Sequence, residues 1–324
     1  MSSKPDILTS EKIEYHAQVL SNRVRNRYRH LSKRFKREGI DCFRLYDRDI
    51  PEVRAVVDWY AGHLVVGEYV RWQTGPNWLP KMADAVAKAL GVPKENTHVR
   101  HRQTKPKQGP RYKKIAFKGK RFKVRERDLV FWVNLDDFLD TGLFSDHRDT
   151  RQLFRQWVKG KDFLNLFAYT GSFTCAAAAG MARSTVTVDR NAEYTDWAKD
   201  NMILNGLMNN RQHEFVQSDV GKFLERVGKQ GRRFNLCLVD PPSFFRNTGK
   251  DESFDINRDH TKLLRDVFKV MLPKGTVLFS TNHQRFEPRL ETLPVKDLVE
   301  LTPKTIPEDY RNRRVHRCWK MNVS

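Results

Sequence analysis

The stretch KDFLNLFAYTGSFTCAAAAG, residues 161–180, decides the reading of the fold. Phe163 to Phe167 is a short apolar run with the length of a buried strand. Tyr169-Thr170-Gly171-Ser172 breaks it, and a glycine there lets the backbone approach a ligand closely. Phe173 to Ala182 is rich in alanine and reads as a helix. Downstream the alternation continues, with strands at Ser184 to Val188, Glu214 to Gln217, Phe234 to Val239 and Thr276 to Ser280. Helices are expected at Asn191 to Leu204, Val220 to Lys229 and Asp259 to Leu272. Such a βαβ succession specifies an α/β class with a mainly parallel sheet of Rossmann-like type, covered on both faces.

Upstream the composition changes. Glu11 to Gly39 has helical spacing, with Leu20, Val24, Tyr28, Leu31 and Phe35 on one face. Its other faces carry Arg23, Arg25, Arg27, Arg29, Lys33, Arg34, Lys36 and Arg37, with few counter-charges. Two readings fit: a solvated surface helix, or an arm for an RNA backbone. Residues 41–134 read as a small mixed α/β domain, with strands at Val53 to Asp58 and His63 to Tyr69 and a helix at Pro80 to Leu90. A second basic run includes Arg100, Arg102, Lys113, Lys114, Lys120, Arg121 and Arg127, interleaved with Tyr112, Phe117 and Phe122. Lys118-Gly119-Lys120 is a candidate hairpin turn. These aromatics serve either to stack on bases or to fill the core of the hairpin. The organisation expected is a disordered tail at 1–10, a basic helix at 11–40, an RNA-binding domain at 41–134 and a catalytic domain at 135–324.

Global charge agrees. Lys and Arg number 60 against 39 Asp and Glu, a net of +21 over 324 residues. An excess of that size attracts polyanions and favours a nucleic-acid partner. No stretch approaches the ~20 apolar residues of a membrane span, and the N-terminus lacks the apolar core of a signal peptide. Both point to the cytoplasm and away from a membrane. Cys42, Cys175, Cys237 and Cys318 form no CxxC pair, so neither a zinc site nor a disulfide framework is expected.

In open α/β sheets a ligand sits beyond the carboxyl ends of the strands, where the strand order reverses. Gly171 follows the first strand and Asp189 ends the second, where a carboxylate can accept from ribose hydroxyls. Asp219 follows the third. An Asp at these positions is also a common helix cap. Asp240-Pro241-Pro242-Ser243-Phe244 follows the fourth. Consecutive prolines fix an extended path and present Asp240 and Phe244 together.

The segment Asn165 to Gly171 resembles the cofactor loop of class I methyltransferases acting on large-subunit rRNA, and Asp240 to Phe244 resembles their fourth motif. Trp132 to Leu135, Asp140 to Arg148, Phe254 to His260, Arg311 to Arg313 and His316 to Trp319 are similar to the same family. The resemblance is to the RlmK half of the bifunctional RlmKL enzymes, which form 7-methylguanosine in 23S rRNA, and it runs from about residue 20 to the end. It implies S-adenosylmethionine as cofactor, held by Phe167, Tyr169, Thr170, Gly171, Asp189, Arg190, Asp219 and Asp240, with Asp146 and Arg148 closing the other side. It implies catalytic roles for Asp240, Pro241 and Phe244, and RNA contacts from the basic stretches at Arg23, Arg27, Arg34, Arg100, Arg102, Lys113, Lys114, Lys120 and Arg121. His147 either joins the pocket or packs as an ordinary histidine. The chain departs from the pattern in carrying no THUMP module, no second methyltransferase and no PUA module. A separate protein in place of the fused half is therefore an expected partner, beside 23S rRNA or a large-subunit assembly intermediate.

Cytosine-5 methylation needs a Cys nucleophile after the fourth or fifth strand. Pro241-Pro242-Ser243 follow the fourth and Ser280-Thr281-Asn282-His283 the fifth instead. Guanine N7 carries a lone pair and needs neither nucleophile nor base. Guanine N2 chemistry, cytosine C5 chemistry and a non-catalytic RNA-binding assembly factor are the alternatives. A nicotinamide enzyme would show GxGxxG, which Tyr169 to Cys175 does not.

Overall fold

The computed structural model describes residues 8–69, 74–102, 119–138, 140–208, 212–246 and 253–324. The chain divides into two compact units, one of Met1–Thr141 with Glu308–Arg311 and one of Gly142–Pro307 with Asn312–Ser324.

In the first unit, helix α1 (Ser10–Arg37) leads into strands β1 (Cys42–Asp47), β2 (Ala55–Tyr60) and β3 (His63–Tyr69). Helix α2 (Trp78–Leu90), strand β4 (Thr97–Arg102) and the hairpin β5 (Phe122–Glu126) and β6 (Leu129–Val133) follow. Strands β1 to β3 pair antiparallel and β4 joins β3 in parallel. The apolar stripe of α1 is buried, with Leu20, Val24, Leu31 and Phe35 in one core with Phe43, Leu64, Trp78 and Met82. Thr9 caps α1 by accepting from Lys12 N. The helix thus begins at Ser10, inside the tail expected at 1–10, whose residues 1–7 lie outside the described set. Trp78 Nε1 donates to His16 Nδ1 at 3.1 Å, and burial lowers the pKa of His16, which suits an acceptor. The described hairpin turns at Arg127-Asp128. Of the turn expected at 118–120, Lys118 lies outside the described residues.

The second unit holds α3 (Arg148–Arg155), β7 (Asp162–Leu166), α4 (Ser172–Ala179), β8 (Ser184–Asp189), α5 (Ala192–Leu204), β9 (His213–Gln217), α6 (Val220–Lys229) and β10 (Phe234–Val239). The short pair β11 (Phe244–Arg246) and β12 (Ser253–Asp255), α7 (Ile256–Phe268), β13 (Met271–Thr281), β14 (Val295–Glu300), α8 (Thr302–Thr305) and β15 (Arg317–Val323) complete it. Seven strands form one sheet in the order β14-β15-β13-β10-β7-β8-β9, and β15 runs against the direction of the other six. Rossmann-like α/β architecture is the result. Alternate residues of each central strand serve opposite cores. Leu164, Cys237, Val239 and Val277 join one, while Phe163, Leu236, Leu238 and Leu278 join the other. Continuous apolar runs arise because both faces are covered.

Both boundaries of the helix expected at Asp259 to Leu272 moved. Helix α7 starts at Ile256 and not Asp259, because Asp255 caps it by accepting from Asn257 N and Arg258 N. It ends at Phe268, and Met271-Leu272 belong to β13, which pairs with β10. Gly171 sits at φ +70°, where a Cβ would stand 2.6 Å from Ala198 Cβ. Close packing of α4 on α5, together with the positive φ, demands this glycine. Gly171→Ala is expected to lower stability by about 1–3 kcal/mol. Thermal unfolding checks it, and an unchanged midpoint would contradict the packing account.

Candidate active site

The order of the sheet reverses between β7 and β10, the place where loops on the two strands diverge and leave a crevice. The loop after β7 is bent by two non-glycine residues in left-handed conformation, Phe167 at φ 56° and Tyr169 at φ 51°. Such conformations cost about 1–3 kcal/mol each and cluster at functional sites. Polar contacts hold the loop in this shape. Tyr169 N donates to Asp189 Oδ2 and Asn191 N to Asp189 Oδ1, each at 2.9 Å. Gly142 N donates to the Tyr169 hydroxyl at 2.9 Å, Thr170 Oγ1 donates to Gly142 O at 2.6 Å, and Asn201 Nδ2 donates to Thr170 O at 2.8 Å. The Tyr169 ring packs edge-on against Tyr194 and beside Phe144.

Asp189 therefore lies at the end of β8 with its carboxylate accepting from the backbone N–H groups of Tyr169, Asn191 and Arg190, which leaves about one of its four acceptor sites. Burial pushes its pKa up to about 6. Arg190 lies over the Phe245 ring, which neighbours Phe167 and stacks on Phe254 at 4.9 Å. Asp219 caps α6 by accepting from Lys222 N at 3.2 Å. Of the two expectations for a carboxylate after a strand, the cap is the one seen at Asp219.

At the end of β10, Asp240 Oδ1 accepts from Ser280 Oγ at 2.6 Å. Its Oδ2 lies 3.7 Å from His147 Nε2. His147 stacks on His316 with centroids 4.0 Å apart and planes 13° apart, and His316 Nδ1 meets Asp146 Oδ2 at 3.0 Å. Pro241 is buried, and Phe244 is 48% exposed at the start of β11. Burial pushes Asp240 up to about 6, against the Ser280 hydrogen bond and the charge of His316. Burial pushes His147 well below its ordinary value, reinforced by His316. Asp146, His147 and His316 present ligand atoms within 4.8 Å of one another. A stacked pair of imidazoles directs its lone pairs in parallel, and His316 spends both nitrogens on Asp146 and Thr305, so these groups read as a hydrogen-bonded network.

The sequence pointed to Asp146, Arg148, Phe167, Tyr169, Thr170, Gly171, Asp189, Asp219, Asp240 and Phe244, and all lie on this unit. Arg148 is 2% exposed, as is Arg151, which donates to Phe144 O at 2.9 Å. His147 is not a surface residue; it is buried beside Asp240. Sequence reasoning missed Ser280 and gave His316 no role of its own. The readable signal for Ser280 was its place at the end of the strand paired with the one that carries Asp240. All four cysteines are buried and free. Burial raises the thiol of Cys175 to about 12 and those of Cys237 and Cys318 well above their ordinary value, which suppresses the thiolate a nucleophile needs.

The basic residues of the first unit divide. Arg100 is buried, and its guanidinium donates to Leu135 O and to Asp136 O. A phosphate contact from Arg100 is thereby corrected to a structural role. Counter-charges around α1 are less scarce than its sequence suggested, since other elements supply them. Arg23 pairs with Asp49 at 2.9 Å, Arg34 pairs with Glu38 and Glu308, and Arg27 donates to Glu308 O. Arg23 remains half exposed, and Lys120 is exposed. Phe122 stacks on His63 at 4.3 Å, a packing role. Lys113, Lys114, Tyr112 and Phe117 lie outside the described residues, as does the side chain of Arg102. No helix of the described residues is long and apolar enough to cross a membrane.

Comparison with known proteins bears on this site. Residues 48–297 match the family described as S-adenosylmethionine-dependent methyltransferase. The chain is 40% identical over 309 residues to the ribosomal RNA large subunit methyltransferase K of Neisseria meningitidis serogroup B, covering 93% of this chain and 86% of that protein. It is 43% identical over 313 residues to the methyltransferase K/L of Aeromonas salmonicida, covering 94% of this chain and 43% of that protein. The chain thus spans less than half the length of the K/L relatives. A methyltransferase solved in complex with SAH shares the fold, with a TM-score of 0.74 at 21% identity, covering 99% of this chain and 83% of that one.

The raised Asp240 carboxyl has a consequence for stability. Its folded pKa of about 6 lies above the unfolded value near ~3.9. Its contribution is therefore fully present below about pH 4 and is lost as pH rises through about 6. Asp240→Asn removes that loss. The stability of the variant relative to the parent is expected to rise by about 1–3 kcal/mol between pH 4 and pH 7, measured by denaturant unfolding. A difference that does not change with pH would contradict the burial of Asp240.

Proposed function

The chain belongs to the S-adenosylmethionine-dependent methyltransferase family, and on that premise we propose that it methylates N7 of a guanine in large-subunit rRNA. The observation that carries the reading is a carboxylate at the end of β10, with no thiolate beside it. Such a site suits a target atom that needs no covalent activation. Guanine N7 is such an atom, and its product is cationic, so a fixed carboxylate at Asp240 stabilises the charge that develops.

The cofactor supplies an electrophilic methyl group on a sulfonium. The residues present fit it, because the Asp189 carboxylate at the end of β8 keeps acceptor capacity beyond its three backbone N–H partners and so suits a ribose hydroxyl. Phe167, Tyr169, Thr170, Gly171, Arg190 and Asp219 border the same strand ends and would hold the rest, with Asp146 and Arg148 opposite. Pro241 fixes the chain that presents Asp240, and the exposed ring of Phe244 offers a face on which a base can stack. N7 lies in the deep, narrow groove of A-form RNA, so the target guanine is unpaired or drawn out of its helix. Positioning dominates the catalysis. The names of the Neisseria and Aeromonas relatives and the net charge of +21 support rRNA as the substrate class. Arg23, Arg27, Arg34, Lys120 and Arg121, with Arg102, Lys113 and Lys114 of the basic run, are the proposed phosphate contacts.

Incubation of the protein with labelled S-adenosylmethionine and unmodified 23S rRNA, followed by nucleoside mass spectrometry, tests the reading. A 7-methylguanosine peak is expected, lost in Asp240→Asn. A peak of 5-methylcytidine or N2-methylguanosine would overturn the assignment of the target atom.

A further inference from the structure

Behind Asp240 lies a buried polar chain that the proposed chemistry leaves unused. His316 is fully buried. Its Nδ1 faces the Asp146 carboxylate at 3.0 Å, and its Nε2 meets Thr305 Oγ1 at 3.0 Å. Thr305 in turn donates its hydroxyl hydrogen to Thr302 O at 3.2 Å. Both ring nitrogens of His316 are thus occupied. Stacked on it, His147 is held well below its ordinary pKa by burial first and then by His316. Asp240 accepts a hydrogen bond from Ser280 Oγ on Oδ1, and at longer range His316 lowers and Asp146 raises its pKa.

Given that Asp240 carries the chemistry proposed above, we infer that Ser280 and His316 are positioning residues that keep the Asp240 carboxylate fixed and charged. The groups facing it come from every element around it: Asp146 and His147 from the segment before α3, Ser280 from β13, His316 from the residue before β15, and Cys318 from β15. Arg151 of α3 acts on His147. The Cys318 thiol is held protonated by burial and by Asp240 itself, so it adds no charge. Asp240 sits at about 6 with these partners in place, and burial alone would place it higher. Removing the Ser280 hydrogen bond or the His316 charge therefore moves it upward.

The test is a titration of the full chain carrying ¹³C-carboxyl aspartate, with Asp240 assigned by its absence in Asp240→Asn. Ser280→Ala and His316→Asn are each expected to raise the Asp240 midpoint from about 6 by about half a pH unit or more. Cys318→Ala, a neutral loss beside the same carboxylate, is expected to leave it in place. The acid limb of single-turnover methyl transfer to 23S rRNA is expected to follow the same shifts. Rates that fall in all three variants while the midpoint and the limb stay fixed would reduce Ser280 and His316 to packing residues and overturn the inference. Should His316→Asn fail to fold, Ser280→Ala decides alone. Full turnover in Asp240→Asn would instead sink the catalytic reading, which the titration does not depend on.

Discussion

Burial of a parallel sheet on both faces is the constraint from which the rest follows. Adjacent strands β7 and β10 pair in register through Phe163 to Leu166 and Leu236 to Val239. Each hands alternate side chains to opposite cores. The chain leaves β7 toward β8 on one side and leaves β10 toward β13 on the other. Side chains fill the sheet itself, so a crevice is left only beyond the carboxyl ends, where the two connections part. Asp189 and Asp240 stand at those ends. Their position is thus a consequence of strand order, and their raised pKa a consequence of how closely the sheet is packed around them.

The crevice is held by polar contacts as much as by apolar packing. Phe167 and Tyr169 adopt left-handed backbone because Asp189, Gly142 and Asn201 fix the loop from three directions. The opposite wall is a buried chain from Thr302 through Thr305 and His316 to Asp146, lying against His147 and Asp240. Removing one member of such a network strands the others, and that cost exceeds the worth of any single bond. Side chains from the start of the unit and from its last strand meet in that wall. This is why segments far apart in sequence act on one carboxylate.

Much of the second unit was legible in the sequence, because apolar runs of strand length alternate with helical periods. Strands at 184–188, 214–217 and 234–239 lie where the periodicity placed them. What failed was local. Asp255, and not Asp259, starts α7, because a side chain that accepts two backbone N–H groups outweighs the periodicity. At Gly171 the sequence did not show the packing against Ala198 that also demands a glycine, a tertiary contact that periodicity cannot show. Arg100 looked like one more phosphate ligand in a basic run, yet its carbonyl partners come from a loop some 35 residues later. The carboxylates at strand ends were readable because their place follows from topology. Ser280 and His316 were not, since their roles exist only once β13 is paired with β10 and β15 with β13.

The claim at the centre is that the carboxyl end of the sheet at Asp189 forms the cofactor pocket. Calorimetric titration of S-adenosylmethionine into the parent chain and into Asp189→Ala tests this without any RNA. The account predicts one molecule bound per chain and an affinity loss of roughly tenfold or more in the variant, on the scale of a lost hydrogen bond to a charged group. Equal affinity in the two proteins, with Asp189→Ala folded, would contradict it.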